Sequence, residues 1–424
     1  MKRTLIALAV GAAFAAPSAY ADVTLSGSIN AGPAYVHSGD GSTNTQNTIS
    51  QQGGFSTGPT AQTGESKTGI NTNYSNITIG SMEDLGGGLK LDFAYQFTAN
   101  FQNTSTSPST RNSHLGLVGD SWGGVWIGTN EHLYERYFYT VDPLDGAAGI
   151  GGNLSLMGTP GYGQVFDTGN NVPSADFYRR TDQSIWYDSP NWGGFTFGVY
   201  TSLSALKNAN NANTGTTSQS PQVWGGGVKY VGPTIPIQLW AAYEDHHDMF
   251  GLDVIKSGGA VSQVTTTLPA NAISGFGTSS HDYAWQVGVG YTIGDIFIFG
   301  NFEQIKYKLD GLTGAAVNEY KRDAYSIGMK WNIPTGYIGA QWMQAIGATC
   351  DNVNGSNCDA GNTGAVSIGL GYYHTLSKQT QAYIMGQWID NQDLNMYTVA
   401  GGTGVPTNLG ATVWAITVGL KHSF

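Results

Sequence analysis

Segments in which apolar and polar residues alternate recur along most of this chain, and they are the feature that most constrains its fold. In the first segment Val23, Leu25 and Ile29 share one face and polar residues share the other, a period of two that indicates a β-strand. Short turns and long polar connections join successive segments in alternation. The pattern predicts about sixteen strands, near residues 23–31, 69–81, 89–101, 113–119, 124–128, 180–188, 195–204, 222–230, 235–244, 283–291, 296–307, 324–331, 336–345, 365–373, 380–390 and 411–424.

An even set of antiparallel strands with short turns at one end is typical of a closed transmembrane β-barrel, because closure leaves no unpaired strand edge in lipid. Strands of about ten residues cross a bilayer when they are tilted. A soluble sandwich or a propeller also alternates, but no fixed repeat period is present. The side chains expected to face lipid include Ile77, Ile79, Ile185, Tyr187 and, in the last strand, Trp414, Ile416, Val418, Leu420, His422 and Phe424.

The first residues of the chain have the pattern of a secretory signal peptide. Lys2 and Arg3 precede an apolar run that is too short for a spanning helix, and Ala19-Tyr20-Ala21 follows as a small-residue cleavage site. We therefore predict a leader over residues 1–21 and a mature barrel domain over residues 22–424.

Composition excludes several other classes of protein. Only 11% of the residues are charged, against roughly 25% in soluble domains, and no apolar stretch after Ala21 is long enough for a spanning helix. The formal net charge of −11 becomes about −13 when the leader is removed, which argues against a nucleic-acid partner. Glycine is abundant, at 61 residues, and suits strands that are joined by turns.

The chain has two cysteines, Cys350 and Cys358, within a short polar segment. In a secreted protein this spacing favours a disulfide that closes a small loop. The alternative is a pair of metal ligands, but no further cysteine and no nearby histidine pair is present to complete such a site.

Six stretches, taken together and in this order, resemble the trimeric general porins of the Gram-negative outer membrane. The resemblance implies a barrel of about sixteen strands, a homotrimer, and a water-filled channel for passive diffusion of small hydrophilic solutes and ions. It also implies that the terminal aromatic Phe424 is the signal read by the outer-membrane barrel assembly machinery. The six stretches are Val23–Gly27, Glu83–Leu89, Gly116–Asp120, Arg180–Pro190, Leu376–Thr380 and Gly419–Phe424.

In that family the loop after the fifth strand folds inward and narrows the pore, and here the corresponding segment is residues 130–179. Its carboxylates Asp142, Asp145, Asp167 and Asp176 are candidates for one side of the constriction. We favour Asp142 and Asp145, because Val141-Asp142-Pro143-Leu144 resembles a family signature where the loop departs.

The family places an arginine cluster on the wall opposite these carboxylates, and Arg180 matches one position of that cluster. Strand alternation puts Arg180 and Asp182 on the same, more polar face. Two further arginines of the family are missing, because the pairs at those positions read Ser75-Asn76 and Gly128-Thr129. The resemblance therefore makes Arg180, Asp182 and Asn76 the candidates for the wall side of the constriction. With few wall cations and a negative chain, we expect weak selectivity that leans toward cations.

Other chemistry has little support in the sequence, and we expect no enzyme activity and no cofactor. No spaced nucleophile motif and no phosphate-binding loop is present. The run Asp245-His246-His247-Asp248 holds possible metal ligands, but adjacent residues of a strand point in opposite directions. We therefore expect no metal site.

Three alternative functions remain open. A substrate-selective porin for a sugar or an organic acid could use Tyr162 and Phe166 as an aromatic track. A barrel enzyme would need a catalytic set on the wall or rim. An adhesin could use the polar segment from His37 to Lys67. The expected surroundings of any such barrel are outer-membrane lipid and lipopolysaccharide.

Overall fold

The computed structural model describes residues 22–41, 63–72, 74–99, 110–145, 149–161, 175–203, 222–256, 279–313, 316–355, 358, 360–399 and 408–424. These residues form eighteen strand segments in one antiparallel sheet. The segments are β1 (Val23–Ser38), β2 (Glu65–Asn71), β3 (Asn76–Gly86), β4 (Leu89–Thr98), β5 (Thr110–Gly119), β6 (Gly123–Glu131), β7 (Arg180–Asp188), β8 (Phe195–Ser202), β9 (Gln222–Val231), β10 (Ile237–His247), β11 (Ser279–Ile293), β12 (Ile296–Asp310), β13 (Val317–Ile333), β14 (Gly336–Ala345), β15 (Thr349–Asn352), β16 (Ala365–Thr375), β17 (Thr380–Asn391) and β18 (Thr412–Ser423).

The eighteen segments make a closed barrel of sixteen antiparallel strands. β2 and β3 both pair with β1 and are two parts of one barrel strand, and β14 and β15 both pair with β13 in the same way. β1 also pairs with β18, which closes the barrel. Gly27 and Phe424 exchange two backbone hydrogen bonds of 3.1 Å at this seam, so the predicted barrel is confirmed.

Short turns lie at one end of the barrel, as the sequence predicted. The turn between β3 and β4 shows why glycine is needed there. Gly86, Gly87 and Gly88 have φ angles of +87°, +63° and +80°, which residues that carry a Cβ rarely adopt. The alternation of faces is also confirmed on β18, where Trp414, Ile416, Val418, Leu420 and Phe424 are exposed on the outer wall.

Strand boundaries differ from the prediction near the amino terminus. The predicted strand at 69–81 is interrupted between Asn71 and Asn76. The polar segment from His37 to Lys67, which was expected to connect two strands, begins inside β1 and ends inside β2. β1 continues to Ser38, which pairs with Glu65 of β2 and Val413 of β18, and Ala34 and Val36 are buried on its inward face. The sequence did not reveal this continuation, because Pro33 lies in the middle of the strand and proline usually marks a strand end.

A β-bulge in β7 interrupts the alternation that was predicted from Arg180 to Asp188. Gly128 pairs with Ser184, but Asn130 pairs with Thr181, so β7 carries an extra residue at this point. Gln183 adopts the left-handed φ of +52° there. The alternation predicted from Arg180 to Asp188 is therefore wrong across Asp182 and Gln183, because a bulge shifts the register by one residue.

Two helices and a short 3₁₀ helix complete the described fold. Helix α1 (Leu133–Thr140) follows β6, the 3₁₀ helix spans Asn153–Ser155, and α2 (Gly251–Lys256) follows β10. No helix in the described part of the chain is long and apolar enough to cross a membrane. α1 and the residues that follow it are buried and carry much of the apolar core, including Tyr134, Phe138, Leu144, Ile150 and Leu154.

Candidate pore constriction

The described residues of the segment between β6 and β7 lie inside the barrel. Its buried residues contact side chains on the face of the wall strands that points away from lipid, among them Gln286, whose Nε2 donates to the Tyr134 carbonyl at 2.6 Å. Further contacts, described below, reach β12 to β18, which lie across the barrel from β6. The connection therefore crosses the lumen, which is the position needed for narrowing a channel.

Glu303 on β12 and Arg322 on β13, the anchor pair, hold this loop at mid-barrel. Their side chains are 0% exposed and form an ion pair of 2.8 Å. Glu303 Oε2 accepts hydrogen bonds from Tyr134 Oη and from the Gly158 backbone N, both at 2.8 Å. Arg322 also donates to the carbonyl of Thr159. One buried ion pair thus binds the loop at two points.

Two wall glutamines bind the next part of the loop. The backbone N of Gly151 donates to Gln387 Oε1 at 3.0 Å, and Gln387 Nε2 donates to Ser155 Oγ at 2.6 Å. Gln341 donates to the Gly151 carbonyl. Because Gln387 both accepts and donates, it fixes the loop backbone more tightly than an apolar contact would.

Leu144 lies in a slot formed by Gly339, Gly369 and Gly371, the glycine slot. The Leu144 side chain is fully buried. A Cβ added to Gly339 would lie 2.1 Å from the Pro143 carbonyl oxygen, and one added to Gly369 or Gly371 would lie 2.9 Å from a Leu144 methyl carbon. The wall lacks side chains here, so the loop backbone can approach it closely.

Asp142, predicted for the constriction, is only 7% exposed. Its Oδ1 accepts a hydrogen bond of 3.0 Å from the backbone N of Leu144, which is an Asx turn. The structure therefore gives Asp142 a role in shaping the loop that places Leu144 in the slot, instead of a position facing the open lumen.

Asp145, the other favoured carboxylate, faces solvent and two lysines. Its side chain is 32% exposed, and its Oδ atoms lie 3.0 Å from Lys421 Nζ and 4.0 Å from Lys330 Nζ. Tyr337 Oη donates to Asp145 Oδ2 at 2.8 Å. These partners lie near the short-turn end of their strands, so this group, the mouth cluster (Asp145, Lys330 and Lys421), is close to that mouth of the barrel.

The two lysines also control the ionisation of Asp145. Burial raises the pKa of this carboxyl, but Lys421, Lys330 and the hydrogen bonds from Lys421 and Tyr337 outweigh burial, so the pKa lies below its ordinary value of 3.8. The charged carboxylate therefore stabilises the folded state at all pH values above about 4.

Replacing Asp145 with asparagine is expected to lower stability in a pH-dependent way. At pH 7 the variant should lose about 1 kcal/mol, because the pairs are partly screened by solvent. A depressed folded pKa means that the wild-type advantage is lost as the pH falls through that pKa, so the difference between the two proteins should be smaller at pH 2 than at pH 7. Thermal unfolding in detergent at both pH values measures this. An equal loss at pH 7 and pH 2 would contradict it, and Asp120→Asn, at an exposed turn, is the control.

Arg180 lies in a second charged group, the arginine cluster (Arg111, Arg180 and Glu131). Arg180 and Arg111 both ion-pair with Glu131, the latter at 3.4 Å. Tyr74 donates to Glu131 Oε1 at 2.8 Å, and the Tyr74 ring is 5.3 Å from that of Tyr139 in α1. The cluster therefore touches the loop helix, and two arginines share one carboxylate there.

The remaining predicted wall residues lie near this cluster but outside it. Asp182, within the bulge, accepts a hydrogen bond of 2.6 Å from Thr129 Oγ1. Asn76 accepts one of 3.2 Å from Gln96 and donates one to the Tyr74 carbonyl. Asp176, which belongs to the loop itself, is buried. Asp167, Tyr162 and Phe166 lie outside the described residues.

Several interior charges were missed by sequence reasoning. Arg136 on α1 forms a bidentate pair with Asp188 at 3.1 to 3.2 Å. Burial, with Arg179 and Arg136 nearby, lowers the pKa of His132 well below its ordinary value, so this histidine is neutral. Strand parity could have identified the wall residues, because a charged side chain on the inward face of a barrel strand points into the lumen and away from lipid. The missed residues are Arg111, Glu131, Arg136, Glu303, Arg322, Lys330 and Lys421.

The predicted cysteine pair and the terminal aromatic are both placed by the structure. Cys350 and Cys358 form a disulfide, with Cα atoms 5.5 Å apart, at the end of the barrel that carries the long connections. Phe424 is 39% exposed on the outer wall, on the same face as His422. Neither lies in the lumen.

Comparisons with known proteins agree with this geometry. A family model described as Gram-negative porin matches residues 7–394. Outer membrane porin protein 32 of Delftia acidovorans is 26% identical over 435 residues, which cover 100% of both chains. The solved anion-selective porin from Comamonas acidovorans has a TM-score of 0.65 at 21% identity and covers 95% of this chain and 100% of its own. OmpT of Vibrio cholerae, solved in a trimer form, has a TM-score of 0.57 at 11% identity and covers 95% of this chain and 99% of its own.

Proposed function

The chain belongs to the Gram-negative porin family, and on this premise we propose that its lumen passes small hydrophilic solutes with a weak preference for anions. It is an outer-membrane barrel that conducts solutes and ions by passive diffusion, and like the porins it matches it is a channel and not an enzyme. The properties still to be assigned are where the channel is narrowest and which charge it favours.

We propose that the narrowest part is formed by the described residues of the segment 130–179. This proposal is supported by the anchor pair, the glutamine contacts and the glycine slot, which together hold the loop across the lumen. A loop bound at so many points is a fixed part of the pore wall. The solute therefore passes between this loop and the wall that bears the arginine cluster.

Two charged groups carry the anion preference. In the arginine cluster two arginines share Glu131, and in the mouth cluster two lysines share Asp145. Arg136–Asp188 and Arg322–Glu303 are balanced pairs. Cations therefore outnumber carboxylates two to one within each of the first two groups, and Glu135, which accepts a hydrogen bond from Tyr139 beside the arginine cluster, offsets part of the charge there. Local charge governs ion choice because salt screens distant charge within about 10 Å.

This proposal replaces the cation preference that was expected from the sequence. That expectation rested on the charge of the whole chain and on two missing wall arginines. Arg111, which lies 20 residues before Glu131 in the sequence, pairs with that residue in the arginine cluster. It supplies a second wall cation, on a different strand from Arg180. Much of the negative charge in the sequence lies elsewhere, as at the exposed turn residue Asp120.

Replacing Arg180 with alanine is expected to shift selectivity toward cations. Removing one charge about 6 Å from the ion path raises the energy of a monovalent anion by about 0.7 kcal/mol and lowers that of a cation by about 0.7 kcal/mol at the dielectric constant of water. The anion-to-cation permeability ratio should therefore fall about tenfold. Reversal potentials in a potassium chloride gradient measure this ratio. Lys90→Ala, in the exposed pair with Asp120, is the matched control. A wild-type cation preference, or no shift in the Arg180 variant, would refute the proposal.

The functional unit is a homotrimer of chains that begin at Asp22. A trimer is supported by the trimer form of the similarly folded OmpT. Removal of residues 1–21 is supported by the start of β1 at Val23, directly after the predicted cleavage site. The native mass of the complex purified from outer membranes tests both points, since it gives the number of chains and the mass of each one.

Assembly and lipid contacts use the outer wall. Phe424 is exposed on that wall beside the closing seam, where the barrel assembly machinery can read it before closure. Beyond the lipid-facing residues, Lys306, Lys308 and Lys321 lie on the outward face of β12 and β13, where lipopolysaccharide phosphates would meet them. The yield of folded barrel after deletion of Phe424, and lipopolysaccharide retained after alanine substitution of the three lysines, test these contacts.

A further inference from the structure

Three metal-ligating side chains converge on the outer wall, far from the lumen contacts described above. Asp245 and His247 lie on β10, and His281 lies on β11. His247 Nε2 is 3.0 Å from Asp245 Oδ1, and His281 Nε2 is 2.7 Å from Asp245 Oδ2. One ligand atom from each of these three residues, the metal triad, lies within 4.8 Å of the other two.

Strand geometry explains why these residues meet. Asp245 and His247 are two residues apart and so share the outward face of β10, whereas His246 points inward and is buried. His247 and His281 are direct register partners across the β10–β11 pair, and their rings stack at 4.6 Å. The sequence argument against a metal site considered only adjacent residues and overlooked the partner strand.

The metal triad is open to water just above an aromatic band. Tyr243, Tyr283 and Trp285 follow on the same outward face toward the middle of the barrel, as in an aromatic girdle at a membrane interface. The side chains of His247 and His281 are 49% and 42% exposed. Both flank the long connection after β10, so the triad lies at the rim of the barrel that carries the long connections.

We propose that the metal triad binds one divalent transition-metal ion, with zinc as the representative. Two imidazole nitrogens and one carboxylate oxygen suit Zn²⁺, Cu²⁺ or Ni²⁺, and a water completes four-fold coordination. In a tetrahedral zinc site the ligand atoms stand about 3.4 Å apart. His247 Nε2 and Asp245 Oδ1 are 3.0 Å apart, and each of the three ligand atoms lies within 4.8 Å of the others, so small side-chain movements would complete the site. Exposed side chains at a rim can do this without moving the strands.

Two further contacts of Asp245 fit this role. Tyr243 Oη donates to Oδ2 at 2.7 Å, which orients the carboxylate as outer hydrogen bonds do for metal ligands. Oδ1 is buried, yet no donor among the described residues is aligned to form a hydrogen bond with it, although His247 Nε2 is 3.0 Å away. A bound cation between Oδ1 and the two rings would satisfy this oxygen.

Zinc titration of the purified protein, stripped with a chelator and held in detergent, tests the proposal. Isothermal calorimetry should show one Zn²⁺ bound per chain, and affinity should fall at least about tenfold in His247→Ala and in His281→Ala. His422→Ala is the matched control, because His422 is an outward-facing histidine at the other end of the barrel. It should bind zinc as the wild type does.

A second readout guards against variants that fail to fold. Tyr243→Phe keeps all three ligands and removes only the hydrogen bond to Asp245, and it should weaken zinc binding about tenfold. Cobalt(II) in place of zinc should give the intense visible bands of four-fold coordination in the wild type. Absence of zinc binding by the wild type, or equal affinity in wild type and His281→Ala, would overturn the proposal.

Discussion

Glu303→Ala is expected to destabilise the barrel by about 3–5 kcal/mol and to increase single-channel conductance. The substitution leaves Arg322 charged and fully buried without its carboxylate, which is costly in a water-excluded site. It also removes the acceptor for Tyr134 and for the Gly158 backbone N. The loop would lose its mid-barrel attachment, and the released loop would leave more of the lumen open to ions.

Two comparisons separate this effect from general damage. Glu319→Ala breaks an ion pair of 2.7 Å with Lys306 on the outer wall, where both side chains are about one-quarter exposed, and should cost less than about 1 kcal/mol. The double variant Glu303→Leu with Arg322→Met removes both charges and should be more stable than Glu303→Ala. Thermal unfolding and conductance measure these effects. A single variant as stable as the wild type would contradict the role of the anchor pair.

Gly339→Ala is expected to displace the loop from the glycine slot. Its Cβ would lie 2.1 Å from the Pro143 carbonyl oxygen and 2.8 Å from a Leu144 methyl carbon. The Pro143 carbonyl oxygen belongs to the backbone and cannot move aside as the end of a flexible side chain can, so the loop must move as a unit. We expect a loss of about 1–3 kcal/mol and a larger conductance, because Leu144 no longer fits between the strands.

Gly300→Ala is the matched control for this substitution. The nearest atom to a Cβ at Gly300 is 4.0 Å away, so this variant should have the stability and the conductance of the wild type. Both variants add the same methyl group to a barrel strand. If Gly339→Ala matched the control in stability and conductance, the close contact between loop and wall would be refuted.

The barrel could be predicted from the sequence because its determinants are local. A period of two, short turns and long connections are each visible within about ten residues, and together they require a closed sheet in a membrane. The outward face of the last strand, with Phe424 at its end, followed from the same alternation. Errors arose where local rules break, at Pro33 and at the bulge that contains Gln183.

The lumen could be predicted only in part, because its contacts join distant parts of the chain. Tyr134 and Glu303 are 169 residues apart, and Lys421 and Asp145 are 276 residues apart. The resemblance predicted Asp142 and Asp145 for the pore, but it did not reveal the turn in which Asp142 accepts a hydrogen bond from the backbone N of Leu144. The pairing of His247 with His281 depends on strand register, which the sequence alone does not give.

Single-channel recording of the wild-type protein in planar bilayers tests most directly whether this chain forms a water-filled pore narrowed by residues 130–179. In symmetrical potassium chloride without added substrate, we expect discrete steps whose current rises in proportion to voltage and salt concentration. Glu303→Ala should give larger steps in the same bilayer system. A correctly folded wild-type barrel that leaves the bilayer without conductance steps would contradict an open channel.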